Sequence, residues 1–274
     1  MQTLTSREYK LMLKPDRFKG SDEKLLEAAA ALWSDLAGII EPNVIAVSGT
    51  DDVRHRRRRI RFLDTADQWL RANGYVVRER VDLENNERQI TLKFRHADRF
   101  ISQGRTMTPA DGFEPDMKFE EDIKAPFQAV YSFSSNIILG GESALETLAH
   151  VDELYPGLRG SVDEFPEAQG LIEVSGFAAY ERVIKGTSFQ IRKDPEVSAQ
   201  CALTIWYGSE DSEDPIVSEF SFKYEDEKEE YTAKMAKRAY DAFMAVQEHL
   251  GGWIDGDATT KTAYVYSISG EKPG

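Results

Sequence analysis

Two short stretches constrain this chain more than any other. In Tyr75–Val81, Val76, Arg78 and Arg80 share one face of a strand; in Gln89–Arg95, Gln89, Thr91, Lys93 and Arg95 share one face and Ile90, Leu92 and Phe94 the other. A sheet face carrying Arg78, Arg80, Lys93 and Arg95 cannot be a dry core, because buried unpaired charge costs many kcal/mol. It must meet water or hold an anion. Just upstream, Thr65 is placed to cap a short helix with Ala66, Trp69 and Leu70 at helical spacing and Gly74 as its end.

The charge balance sharpens this. The net charge of −14 over 274 residues argues against a general nucleic-acid binder, which needs a basic surface. Yet the basic residues cluster between Arg54 and Arg105, which suits a small polyanion held in a local pocket of an acidic protein. No run approaches the roughly 18 apolar residues of a membrane span, and MQTLTSREYK has no apolar signal core, so a cytoplasmic protein is expected, with no membrane partner. The single cysteine, Cys201, excludes an internal disulfide and reads as a structural thiol in an apolar strand.

Along the chain, Leu4–Leu13 alternates, with Tyr9, Leu11 and Leu13 opposite Ser6, Glu8, Lys10 and Met12. Ser21–Gly38 is a helix capped by Ser21 and stopped by Gly38; Asn43–Thr50 is a short strand and Asp51-Asp52 a turn. The run Arg54-His55-Arg56-Arg57-Arg58-Arg59 can place only alternate members in one site, either as a solvated face or partner for the acidic surface, or with Arg59 and Arg61 extending an anion site. Residues 97–115 read as a long loop, a candidate lid. In Met117–Lys124, Lys118, Glu120, Asp122 and Lys124 share a face. Glu142–Tyr155 is a helix; Leu171–Lys185 and Thr187–Lys193 are strands joined by a hairpin at Gly186; Cys201–Gly208 and Ile216–Glu225 are a strand pair; Lys228–Leu250 is a helix; a last strand follows Lys261-Thr262, and the tail from Gly270 is disordered.

Phe62-Leu63-Asp64-Thr65, the helix ending in Gly74, Arg78-Glu79-Arg80 and Leu92-Lys93 resemble the CYTH superfamily, the triphosphate tunnel metalloenzymes, named for class IV adenylate cyclases and thiamine triphosphatase. That family opens with Glu-x-Glu-x-Lys; here the strand reads Ser6-x-Glu8-x-Lys10, with the first acid lost. Lys118-x-Glu120-x-Asp122 fits the mid-chain basic-x-Glu-x-Glu strand. Late in the chain Glu219 stands where Glu-x-Glu is usual, Ser221 replaces the second acid, and Trp206-Tyr207-Gly208 lacks the family's Asp.

The resemblance implies an α+β fold, an antiparallel eight-stranded β-barrel with flanking helices, in one domain over residues 1–269 with insertions at about 15–55 and 97–117. Its interior would be inverted, lined by charge, with apolar faces packed outward. It implies Lys10, Arg61, Arg78, Arg80, Lys93, Arg95, Arg182 and Lys261 as phosphate ligands, Lys10 and Arg80 also acting in catalysis. Glu8, Glu120, Asp122 and Glu219 would hold Mg²⁺ or Mn²⁺, which positions water for attack on a terminal phosphorus. Two readings follow: a metal-dependent triphosphatase acting on a small phosphate-rich anion such as inorganic triphosphate, thiamine triphosphate or a nucleoside triphosphate, or a catalytically degraded relative that binds a polyphosphate or nucleotide without turnover. A homodimer is left open.

Overall fold

The computed structural model describes residues 2–49, 55–140 and 144–268. The Asp51-Asp52 turn, Arg54, the start of the helix expected from Glu142 and the tail from Gly270 lie outside these residues.

The alternating stretches do form strands. β1 (Ser6–Leu13), β3 (His55–Thr65), β4 (Tyr75–Asp82), β5 (Arg88–His96), β6 (Asp116–Lys124), β7 (Gln128–Ile138), β8 (Leu171–Lys193), β9 (Glu196–Tyr207) and β10 (Pro215–Glu225) follow one another around a barrel in the order β8, β3, β4, β5, β7, β6, β1, β10, β9, and β8 pairs with β9 to close it. A short β2 (Ala46–Ser48) adds to the far half of β8. The barrel therefore has nine strands rather than the expected eight. The pairing is also mixed, since β1 and β6 run parallel while the remaining neighbours are antiparallel.

Several local expectations are corrected. Gly186 is not a hairpin: β8 runs 23 residues straight through it. A side chain there would meet the ring of Trp33 at 2.4 Å, so the glycine admits a close approach rather than a turn. The turn lies instead between Lys193 and Glu196. β7, unassigned in sequence, inserts between β5 and β6. Lys261 opens a helix, α6 (Lys261–Ser267), where a strand was expected.

The helices lie outside. α1 (Asp22–Ile40) starts at the Ser21 cap as expected but continues past Gly38. With α5 (Ala233–His249), capped by Thr232, it buries Leu25, Leu32, Trp33, Leu36, Met235, Phe243 and Val246 against outward residues of β1, β8, β9 and β10 such as Tyr9, Phe189, Leu203 and Phe220. On the other flank α2 (Trp69–Ala72) and α4 (Leu148–Leu154) cover Tyr75, Val77, Leu92 and Phe133. The 97–115 segment carries a one-turn α3 (Arg99–Gln103) capped by Asp98. Cys201 is buried in the α1/α5 core, and burial pushes its thiol pKa up, as suits a structural residue. No helix among the described residues is long and apolar enough to cross a membrane.

Most of the aliphatic faces are thus used outside, in the two cores beneath the helices. What fills the barrel interior follows from the other parity of each strand.

Candidate functional site

A cavity of about 290 Å³ occupies the barrel. Among the described residues its wall carries nine cations, Lys10, Arg58, Arg78, Arg80, Lys93, Arg95, Lys118, Lys223 and Lys261, against four carboxylates, Glu8, Glu120, Glu181 and Glu219. The cavity is therefore net positive inside a protein of net charge −14.

The charges divide into two walls, set by strand register. On the first, β1, β6 and β10 bring acids and lysines together. Glu8 stands opposite Asp122 across the parallel pair, a repulsive juxtaposition. Lys10 resolves it, with Nζ 2.7 Å from both Glu8 and Asp122. Burial pushes Glu8 and Asp122 up, but Lys10 more than offsets this and both carboxyls titrate lower than usual. The same burial opposes charge on Lys10, whose pKa the two acids nevertheless raise. Asp122 also accepts a hydrogen bond from Ser132 and approaches Lys93 at 3.4 Å. Glu219 is paired with Lys261 at 2.8 Å. Glu120 accepts from Ser6 Oγ at 2.8 Å, while its lysine contacts, Lys223 and Lys93, are longer at 3.7 and 3.9 Å.

The second wall is built by β3, β4 and β5 and is made of arginine. Arg78 faces Phe62 on one neighbouring strand and Thr91 on the other; Arg80 faces Ile60 and Gln89. Neither meets a carboxylate within ion-pair distance among the described residues, and the buried Nε of each has no hydrogen-bond partner. Burial, reinforced by Arg80, lowers the Arg78 pKa, and burial pushes Arg80 down to about 10 against the pull of Glu181. Lys93, between the walls, is pushed down to about 8 by burial, which Asp122 offsets only in part.

Among the described residues Glu181 is the one carboxylate on this side. Its Oε1 accepts from Arg58 at 2.5 Å and its Oε2 from the Trp206 indole at 2.9 Å. Burial opposes its charge, yet Arg58 and Arg80 hold its pKa far below the usual carboxylate range. With both oxygens engaged it orients Arg58.

Of the residues singled out in sequence, Lys10, Arg78, Arg80, Lys93, Arg95, Lys261, Glu8, Glu120, Asp122 and Glu219 surround this interior. Arg61 and Arg182 do not. Arg61 points outward and joins Glu79, its Nε 2.5 Å from Oε1, because the β3–β4 register sets the two opposite each other on the outer face. Arg182, one residue from the inward Glu181, turns to the outside, where it pairs with Asp22 at the start of α1 and lies 4.3 Å over the Tyr207 ring. The arginine run follows suit: Arg58 enters the cavity, and the parity of Arg59 and Arg61 does not. Arg58, Glu181, Lys118 and Lys223 were missed as site residues. Period-two reading from Arg80 through its partner strands would have found them had the registers been known.

One end of the barrel is half sealed. Ile60, Phe62, Trp206 and Val217 form an apolar cluster inside it, covered by Val265 and Tyr266 of α6. Asp64 fastens this lid: it accepts from the backbone N–H of Thr65, Leu70 and Arg71, capping α2, and from Tyr266 Oη at 2.9 Å.

No family model and no curated protein matches the chain. Among solved structures it is similar to a proposed adenylyl cyclase from Hippeastrum described as having a dominant triphosphatase activity, at 14% identity over 96% of this chain and 95% of that one, with a TM-score of 0.46. A proposed adenylate cyclase from Bacillus halodurans is 14% identical over 94% and 95% with a TM-score of 0.41. A third, from Vibrio parahaemolyticus, is 8% identical over 97% and 99% with a TM-score of 0.36. At such scores the functional reading rests on the interior of this barrel itself: a closed sheet with its aliphatic faces outward and its ionic residues inward.

Proposed function

We propose that the barrel binds the phosphate chain of a linear triphosphate and hydrolyses its phosphoanhydride with the help of Mg²⁺ or Mn²⁺, as a triphosphate tunnel enzyme of the CYTH kind. The observation that carries this reading is the pair Arg78 and Arg80, two half-buried guanidiniums with no carboxylate within ion-pair distance among the described residues. Leaving such cations unpaired costs several kcal/mol, and a bound polyanion offsets that cost. Phosphate oxygens match the guanidinium fork. Lys93, Arg95 and Lys118 extend the contact across the cavity.

Among the described residues no three acid, histidine or cysteine side chains gather into a group able to hold an ion by themselves. Magnesium sites in phosphoryl transfer need only one or two carboxylates, the substrate and water supplying the rest. Glu120, gripped tightly only by Ser6, is the freest acid; Glu8, Asp122 and Glu219 are each committed to a lysine, at 2.7, 2.7 and 2.8 Å. When bound, the ion would neutralise phosphate charge. The chain's own part is positioning: the arginine wall orients the phosphates, and Lys10 keeps Glu8 and Asp122 ionised.

A second reading is favoured by the lysine found on nearly every tunnel acid: a cationic tunnel that binds polyphosphate without turnover. Phosphate release from inorganic triphosphate, ATP and thiamine triphosphate, each with Mg²⁺, Mn²⁺ or chelator and beside Arg80→Ala, separates the two. Metal-dependent release lost in the variant supports the hydrolase. Absence of release while triphosphate still raises the melting temperature supports the binder.

A further inference from the structure

The interior has a second compartment. Behind Lys10 and Asp122 lies a smaller cavity of about 60 Å³, bordered also by Arg95, Lys124, Lys261 and Glu219. Its position follows from the topology. β1, β5 and β6 end and β7 begins at this end of the barrel, the half that the apolar cluster under α6 leaves unsealed. The first turn of α6 forms the partition from the main cavity: Lys261 pairs with Glu219, and Arg95 donates to Thr262 Oγ1 at 3.4 Å.

Its charge is unbalanced. Both acids already carry a close lysine, Lys10 on Asp122 and Lys261 on Glu219. Arg95 keeps only a 3.8 Å contact to Asp122, and its buried Nε lacks a hydrogen-bond partner. Lys124 makes no ion pair among the described residues. At roughly 30 Å³ per water the space holds about two waters, which suits one small tetrahedral anion and excludes a phosphate chain.

We propose that this rear compartment is an orthophosphate site, taking the phosphate freed from the chain end in the main cavity. The proposal rests on the phosphate reading of the main cavity. In that reaction the water oxygen bonds to the terminal phosphorus, the bond from that phosphorus to the bridging oxygen breaks with its electron pair leaving on diphosphate, and the water proton passes to solvent. Orthophosphate then leaves by the rear while diphosphate stays against Arg78 and Arg80.

The test is calorimetric titration of the whole protein, in chelator, with inorganic phosphate and separately with tripolyphosphate, comparing wild type, Lys124→Gln and Arg80→Ala, with melting temperatures confirming that each variant is folded. The rear site predicts that Lys124→Gln weakens orthophosphate binding about tenfold or more while tripolyphosphate affinity stays within about twofold, and that Arg80→Ala does the reverse. Equal orthophosphate affinity in wild type and Lys124→Gln, or loss of both ligands in Arg80→Ala, overturns the rear site. If wild type binds tripolyphosphate but not orthophosphate, the rear site fails and the main cavity stands; if it binds neither, the phosphate reading of the main cavity fails with it.

Discussion

The inner and outer faces of β4 carry the same chemistry and opposite bookkeeping. On the outside Glu79 accepts from Arg61 at 2.5 Å and from Arg88 at 2.6 Å, and these arginines hold its pKa low against the effect of burial. On the inside Arg78 and Arg80, its sequence neighbours, have no acid within ion-pair distance among the described residues. A folded protein satisfies its buried charges where they serve only structure. Charges left unsatisfied on one face of a strand, when the other face of the same strand is fully paired, mark a place where something else is bound. The same contrast separates the arginine wall from the lysine–carboxylate wall, where Glu8, Asp122 and Glu219 are each held closely by a lysine.

That contrast can be broken by substitution. The largest effect is expected for Lys10→Met, which strands Glu8 and Asp122 opposite each other; chemical denaturation should show a loss of about 3–5 kcal/mol. Arg80→Ala should do the opposite to the free protein, leaving its melting temperature unchanged or raised, while weakening tripolyphosphate binding by about 2–3 kcal/mol in calorimetry.

Those two residues also show what was legible from sequence. The inward set Arg78, Arg80, Lys93 and Arg95 follows from alternation alone, because period two is local. Arg61 and Arg182 were misplaced because their direction depends on register across strands, and a shift of one residue turns a side chain through the wall. The β3–β8 ladder has a bulge between Arg61 and Leu63, a feature set by the partner strand. Gly186 and the Lys261 helix failed for a related reason: the Trp33 ring, far away in sequence, decides the first, and docking on the barrel end decides the second. β7 presents Val130, Ser132, Ser134 and Asn136 inward, small and uncharged side chains that carry no ionic alternation to read.

A smaller effect sharpens the comparison through pH. Glu181 and Glu79 both have lowered pKa values in the folded protein. Between folded and unfolded values the unfolded chain binds more protons, so their stabilisation is present above about pH 4.5 and is lost as pH falls through the folded values. Acid unfolding followed by circular dichroism should be shallower in Glu181→Gln and in Glu79→Gln than in wild type. The smallest effect belongs to Arg61→Gln, at the solvent-facing end of the outer network: about 1 kcal/mol or less of stability by denaturation, with tripolyphosphate affinity unchanged.

The most direct test of the central claim is the affinity of tripolyphosphate, in chelator, for wild type, Arg78→Ala and Arg61→Gln. The unpaired arginine wall predicts tight binding by wild type, a loss of about tenfold or more in Arg78→Ala and none in Arg61→Gln. Equal loss in both variants, or binding untouched by Arg78→Ala, would contradict it.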